Sequence, residues 1–412
     1  MKTFKYIIKI FLFAVIVVGF CSPAFAFQAT KAIPGQYIVV LKADKVAPVI
    51  KDKAVEKNRD KKVNQAKADR QKVKNKVKAH QAKNNIKGSA ILAEFEDVIA
   101  GYSAKLNPAE VKKLQEDADV EGVYQDFEVN LGPIPAEMAT PQDFTAQSYV
   151  TCAVGRAGGP VNSTGKSTWI WILDTGIDLN HPDLNVKTAF AQSFITGQSA
   201  EDGHGHGTHC AGIAAAKMNT IGPTGVSAGA WVVPVKVLSN SGSGSFTSVI
   251  NGLNWVARYD IPGDVVSMSL GAYPVSNCAV ANSALRTAIY NLTRPWATSG
   301  TYVVMATGNN GNCNGAAYCL PGCINMARTY TVGALDCNMK RASYSNYKVG
   351  TVDWVAVGTG VWSTYKNGGY ATMSGTSMAT PVVAGVTHAR GGAPRNGGNV
   401  NTGCGTYPSA HR

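Results

Sequence analysis

Beyond residue 26 the sequence has no apolar run approaching the ~20 residues that a membrane-spanning helix needs, which argues against an integral membrane protein from there on. Its cysteines lack the paired C-x2-C spacing of zinc ribbons, although four of them fall between residues 313 and 337. No internal repeat is visible, which removes solenoids and propellers. Charged residues make up only 16% of the chain, and the net charge of +13 is local. Residues 42 to 87 hold 16 Lys/Arg against 5 Asp/Glu, residues 88 to 130 hold 3 against 10, and residues 131 to 412 hold 16 against 11. The basic stretch contains no Phe, Tyr or Trp and almost no apolar stripe. It therefore reads as a solvated helix or an unstructured insert and not as a nucleic-acid-binding arm.

What is present begins with a secretory signal over residues 1–26. Lys2, Lys5 and Lys9 precede the apolar run Ile10 to Phe20, and Ala24-Phe25-Ala26 offers small residues for cleavage. A soluble, secreted product follows, with no membrane attachment once the signal is removed. In that compartment Cys152, Cys210, Cys278, Cys313, Cys319, Cys323, Cys337 and Cys404 can oxidise. The group from Cys313 to Cys337 is expected to staple a surface loop.

Two further units are expected. Residues 27–135, with a Lys-rich insert at 43–90, read as a small α+β module. PGQYIVVLK and GVYQDFEVNL look like strands, and NPAEVKKLQEDADV looks like a helix capped by Asn107. The Pro-rich stretch GPIPAEMATPQDF is a linker. Residues 145–412 alternate buried strand-like runs (TWIWILDTG, WVVPVKVL, VVSMSLG, TYVVMATGN, YTVGAL) with helical segments. That pattern predicts an α/β fold with a mostly parallel central sheet covered by helices on both faces. In such sheets ligands sit beyond the carboxyl ends of the strands, where Asp174 and Asn309 fall.

Three segments carry chemistry. In WIWILDTG a carboxylate, Asp174, ends an apolar strand and needs a partner, which an imidazole would supply; D-T-G alone fits a turn or an aspartic protease equally. In DGHGHGTHCAG, His204, His206 and His209 could be metal ligands, but no carboxylate nearby completes a zinc pattern. Alternatively His206 opens a helix with its imidazole exposed, as a proton carrier would be. In TMSGTSMATP, Ser377 lies at a helix mouth, either capping it or using the field of its N-terminus to favour a developing oxyanion.

The order Asp, His, Ser is one of the few in which a catalytic triad is distributed along a chain. DTGIDLNHPDL, HGTHCAG and GTSMATP resemble the signatures of the subtilases, the subtilisin and proteinase K family of secreted serine endopeptidases. PGQYIVVLK and the 95–131 region resemble that family's inhibitory propeptide. The resemblance implies Ser377 as nucleophile, His206 as general base and acid, Asp174 as orienting carboxylate and Asn309 as oxyanion donor. Ser243, Gly244, Ser269, Leu270 and Gly271 would then be the edges that hold an extended peptide. Phe246 and Val249 would line an apolar outer pocket, favouring apolar or aromatic residues near the cut. Asp183, Lys217, Asn219, Ile221 and Pro223 resemble a structural calcium site, with Asp353 at a weaker cation site, and Cys210 resembles a free thiol. The expected protein is a monomeric endopeptidase made as a self-processed zymogen. Its partners would be polypeptide substrates and its own propeptide as intramolecular inhibitor, with no nucleic acid. An inactive peptide-binding relative is the alternative.

Overall fold

The run Ile38-Val39-Val40-Leu41 is buried throughout yet serves two cores, because successive strand residues point to opposite faces. Ile38 and Val40 pack with Val129, Leu253 and Leu285, whereas Val39 and Leu41 pack with Val73, Val77 and Leu114. The computed structural model describes residues 31–47, 58–132, 140–142, 149–275, 278, 283–294 and 300–412. The expected signal at 1–26 and most of the linker lie outside them.

The amino-terminal module consists of β1 (Ala32–Leu41), α1 (Arg59–Lys83), β2 (Ile91–Phe95), β3 (Gly101–Lys105), α2 (Pro108–Gln115) and β4 (Val120–Asn130). One face of its sheet is covered by its own two helices. The other lies on the helices of the larger unit. Asn107 caps α2 as expected, in a reciprocal box with Glu110.

The larger unit runs β5 (Thr140–Gln142), α3 (Cys152–Arg156), β6 (Trp169–Asp174), β7 (Asn185–Val186), β8 (Gln192–Ser193), α4 (His206–Ala215), β9 (Trp231–Lys236), β10 (Ser243–Ser245), α5 (Phe246–Tyr259) and β11 (Val265–Met268). It continues with α6 (Ser283–Thr293), β12 (Tyr302–Ala306), β13 (Thr329–Leu335), β14 (Trp354–Val357), β15 (Val361–Thr364), β16 (Tyr370–Met373), α7 (Thr376–Arg390), β17 (Arg395–Asn401) and β18 (Thr406–His411). The central sheet has the order β17-β18-β14-β13-β12-β11-β6-β9-β7. Every neighbouring pair in it is parallel except the β17–β18 hairpin. In β6 all six side chains are buried because both faces are covered: Ile170 and Ile172 meet the α4/α7 layer, and Trp171 and Leu173 meet the α5/α6 layer. Among the described residues no helix is long and apolar enough to cross a membrane.

Two expectations need correction. The Lys-rich stretch forms a helix, as one of its two readings had it, but not one solvated on all sides: α1 buries Ala66, Val73 and Val77 along one stripe, and its amino-terminal end reaches the larger unit. The cysteines do not staple one loop. They join Cys152 to Cys337, Cys278 to Cys323 and Cys313 to Cys404, tying separate elements, while Cys210 and Cys319 are free thiols. After α7 stops at Gly391, which has the left-handed conformation that suits glycine, the chain forms the β17–β18 hairpin on the sheet edge.

Candidate active site

Asp174 is the last residue of β6, and its carboxylate is fully buried. Oδ1 accepts from the Thr175 N–H at 2.7 Å and lies 2.8 Å from His206 Nδ1. His206 is the first residue of α4, delivered there by two glycines. Gly205 has φ +107°, and a Cβ on it would strike the Tyr365 ring; a Cβ on Gly207 would strike the Gly176 carbonyl. The start of α4 is capped by Asp202, whose carboxylate accepts from the N–H groups of His204, Gly205 and Thr208 and from the Thr208 hydroxyl.

The three histidines do not converge. His209 Nε2 sits between the Val361 and Ala371 carbonyls, and burial holds its pKa down to about 3, so it is neutral scaffold. His204 is half-buried, with its ring 6.3 Å from that of His206. For His206 burial opposes protonation, but the Asp174 carboxylate outweighs it and holds the imidazole well above its ordinary 6.5. Asp174, His206 and Cys210 place one ligand atom each within 4.8 Å of one another, a buried group that could hold a metal ion.

Ser377 is the second residue of α7. Pro381 has no N–H to give the Ser377 carbonyl four residues earlier. That carbonyl accepts instead from the Ser269 hydroxyl at 2.8 Å and the Cys210 thiol at 3.5 Å. Cys210 Sγ is also 3.9 Å from His206 Nδ1, so this one thiol touches both the helix carrying the serine and the imidazole. Ser377 Oγ donates to the Ser269 carbonyl at 3.3 Å. Asn309 lies three residues beyond β12. Its Oδ1 accepts from the Thr376 N–H and hydroxyl, both at 2.8 Å, which turns its amide nitrogen the other way, towards Gly375 and Ser377.

The cleft beside these groups is filled. β10 pairs antiparallel with the end of β4: Ser243 opposite Asn130, Gly244 opposite Val129 and Ser245 opposite Glu128. On the other side Asn130 and Gly271 exchange both main-chain hydrogen bonds, at 3.1 and 3.0 Å. The amino-terminal module thus inserts its last strand between the two edges expected to hold a peptide. Leu270 is buried beside Gly271. Phe246 and Val249 are fully buried, and the Phe246 ring stands edge-on to Phe127 of β4. His206, expected to be exposed, is only 2% exposed in this filled site.

A Subtilase family model matches residues 165–389, and a Peptidase inhibitor I9 model matches residues 36–132. The chain belongs to the subtilase family. It is a serine endopeptidase made with an inhibitory propeptide. It is 38% identical over 301 residues to M-protease of Shouchella clausii (strain KSM-K16), covering 72% of this chain and 70% of that one. Thermitase of Thermoactinomyces vulgaris is 39% identical over 267 residues, 63% of this chain and 88% of the relative. Alkaline serine protease ver112 of Corniculantispora psalliotae is 35% identical over 315 residues, 74% of each.

In this subtilase the expected cation-site residues also meet. Asp183 is fully buried, and its Oδ1 accepts from Asn219 Nδ2 at 2.8 Å. Burial raises its pKa to about 7. The loop 217–223 wraps it, with the Lys217 N–H on the Asp183 carbonyl. Among the described residues no N–H donates to the carbonyls of Lys217, Ile221 or Pro223. Asp353 accepts from the Thr331 N–H, and burial raises it to about 6.

Sequence reasoning missed three groups of this subtilase. Asp202 was hidden because a capping aspartate in a Gly-rich loop looks like any turn residue. Cys319 Sγ lies 3.0 Å from where a Cβ on either Gly271 or Gly308 would sit, so it packs between the strand edges on either side of the site. Asn254 on α5 accepts from the N–H groups of Glu96, Asp97 and Val98.

Proposed function

We propose that Ser377, His206 and Asp174 form the catalytic triad of this endopeptidase and that Asn309 and the Ser377 N–H stabilise the oxyanion. The observation that carries this reading is the 2.8 Å contact of His206 Nδ1 with Asp174 Oδ1, joined to the helix bearing Ser377 by Cys210 Sγ, which lies 3.9 Å from His206 Nδ1 and 3.5 Å from the Ser377 carbonyl. With Nδ1–H donated to Asp174, Nε2 is the nitrogen left to accept a proton. Ser377 Oγ, now on the Ser269 carbonyl, turns to His206. As its bond to the substrate carbonyl carbon forms, its proton passes to Nε2. The carbonyl oxygen becomes negative and meets the Asn309 amide and the Ser377 N–H. Nε2 then gives the proton to the leaving amine as the C–N bond breaks, and water repeats the sequence on the acyl ester.

Substrate would take the place of β4, as an added strand between Ser243–Ser245 and Ser269–Gly271, so main-chain hydrogen bonds bind it and side chains are broadly tolerated. The apolar surface of Phe246 and Val249 favours apolar or aromatic residues near the cut. The propeptide is residues 27 to about 135, and the mature unit begins near residue 145, after export and removal of residues 1–26. The three disulfides suit an oxidising exterior.

Calcium fits the Asp183 site. A buried carboxylate that makes no salt bridge among the described residues, beside carbonyls that no N–H among them meets, is the oxygen-rich surrounding a hard ion takes. Asp183 and Asn219 would give side-chain oxygens, the latter by turning its amide, and Lys217, Ile221 and Pro223 would give carbonyls. Bound there, the ion would supply charge balance to the fold and no chemistry to the reaction.

A fluorophosphonate probe tests the triad. It is expected to label Ser377 in the mature form, and Ser377→Ala is expected to abolish both labelling and precursor self-cleavage. Self-cleavage of the Ser377→Ala chain at the wild-type rate would end this reading.

A further inference from the structure

We propose that the notch formed by Trp169, Ser167, Tyr259 and Asp264 is a guanidinium-binding site of the catalytic unit. Its occupant is the Arg59 end of the propeptide's Lys-rich helix, which holds the inhibitor at a second point outside the cleft. This inference rests on the reading of residues 27 to about 135 as the propeptide.

The Arg59 guanidinium is bound on its edge and on its face. Nη1 and Nη2 each donate to one oxygen of Asp264 at 2.7 Å, a bidentate pair. Nη1 also donates to the Tyr259 carbonyl at 2.7 Å and Nη2 to the Ser167 carbonyl at 3.0 Å. The guanidinium carbon lies 3.4 Å from the centroid of the Trp169 ring. The Arg59 side chain is 10% exposed and that of Asp264 not at all. A planar fork matched to a carboxylate and laid flat on an indole selects arginine over lysine, whose compact ammonium can sit over a ring but cannot make the two-pronged pair.

All the groups that receive Arg59 belong to the catalytic unit. Asp264 is held in place without it: Oδ1 accepts from the Trp169 N–H and Oδ2 from Trp171 Nε1, both at 2.8 Å, and from the Ile261 N–H at 3.3 Å. The carboxylate therefore stays aimed when the arginine leaves. One turn along α1, Lys62 reaches Asp260, which is also fully buried and also accepts from the Thr301 hydroxyl. Two cations three apart on a helix thus meet two carboxylates four apart after α5.

The notch is at the opposite end of the sheet from the chemistry. Trp169 opens β6 and Asp174 closes it, so the two are separated by a strand's length, roughly 16 Å at the usual rise. A ligand in the notch leaves the cleft open, and a peptide in the cleft leaves the notch open.

The test follows hydrogen exchange in the uncut Ser377→Ala chain. Arg59→Ala is expected to speed exchange by about tenfold in the first turns of α1, and Arg59→Lys nearly as much, while β4 and β10 keep their protection. Unchanged exchange in α1, or an Arg59→Lys chain as protected there as its parent, overturns the proposal. Failure of a fluorophosphonate to label Ser377 in the mature form would count against the triad alone, and the exchange measurement would still decide this site.

Discussion

Withdrawing calcium from the Ser377→Ala chain, in which autolysis is prevented, is expected to lower the melting temperature by roughly 5–10 °C at pH 8 and by less at pH 5. The reason lies in Asp183, fully buried and held to about 7 by burial against an ordinary 3.8. A carboxyl whose pKa is raised by folding favours the folded chain at low pH. That advantage is lost as pH rises from about 4 to 7, because the unfolded chain releases its proton first. The whole change is on the order of 4 kcal/mol, at about 1.4 kcal/mol for each pH unit. An ion on Asp183 removes that loss by pairing with the ionised carboxylate, and at about a thousandfold above its Kd it contributes roughly 4 kcal/mol. A unit of about 260 residues melts with an entropy near 0.5 kcal/mol/K, which converts this to about 8 °C. At pH 5 the ion must first displace a proton, so the gap narrows. Scanning calorimetry in calcium and in a calcium chelator at both pH values measures it. Equal melting temperatures at pH 8 would show that nothing is bound there, and a gap of the same size at both pH values would show that the ion is not on Asp183.

Asn309→Ala is expected to lower kcat by about 10² to 10³ with little change in KM. That range comes from the equivalent donor in subtilisin, a member of the same family; steady-state kinetics on a short peptide substrate checks it. The kcat/KM profile should fall on the acid side with a midpoint above 6.5. His206 must be neutral to act, and Asp174 holds its pKa well above that value against the effect of burial; an acid limb centred below 6.5 would contradict this. The maturation cut should fall between Ile134 and Phe144. Past Asn130 the chain leaves the strand, with Gly132 at φ +73° and its N–H turned back to Asn130 Oδ1, and the bond after it leads to Pro133, whose missing N–H disfavours a cut there. Amino-terminal analysis of the mature form that finds Pro133 first would refute it.

The residues proposed as catalytic stand out in the sequence because each sits where a short-range rule meets a chemical need. Asp174 ends an apolar strand, His206 opens a helix after two glycines, and Ser377 lies four residues before a proline that frees its carbonyl. The parallel sheet was legible for a similar reason, since β6 is apolar on both faces. What escaped were partnerships between distant segments. Nothing in RDKKVNQAKADRQKVKNKVKAHQAK marks Arg59 and Lys62 as different from the solvated lysines around them, because their partners, Asp264 and Asp260, lie about 200 residues away. The apolar stripe of Ala66, Val73 and Val77 has only three small members among long charged side chains. Disulfide pairing failed likewise: Cys152–Cys337 closes a separation of 185 residues and Cys313–Cys404 one of 91, which spacing cannot encode.

These distant partnerships bear on how an inhibitor can be told from a substrate in one cleft. The pairing of Asn130 with Gly271 and of Val129 with Gly244 uses main-chain groups that any extended peptide owns, so it cannot by itself favour the propeptide. Discrimination must come from groups that a short substrate lacks. Asn254 gathers three N–H groups from the turn at Glu96–Val98, and Arg258 pairs with Glu96 and Asp97 at 3.3 and 3.0 Å. Asp126 of β4 accepts from both the N–H and the hydroxyl of Thr247. Thr247, Asn254 and Arg258 all lie on α5, the helix that follows β10 directly, so the same element that ends the substrate edge also carries the propeptide's own recognition. A cut in the linker removes none of them, because every one lies within residues 59–132 or on α5. Severing the chain is therefore expected to leave the propeptide bound, with activity appearing only when that separate set of contacts is lost.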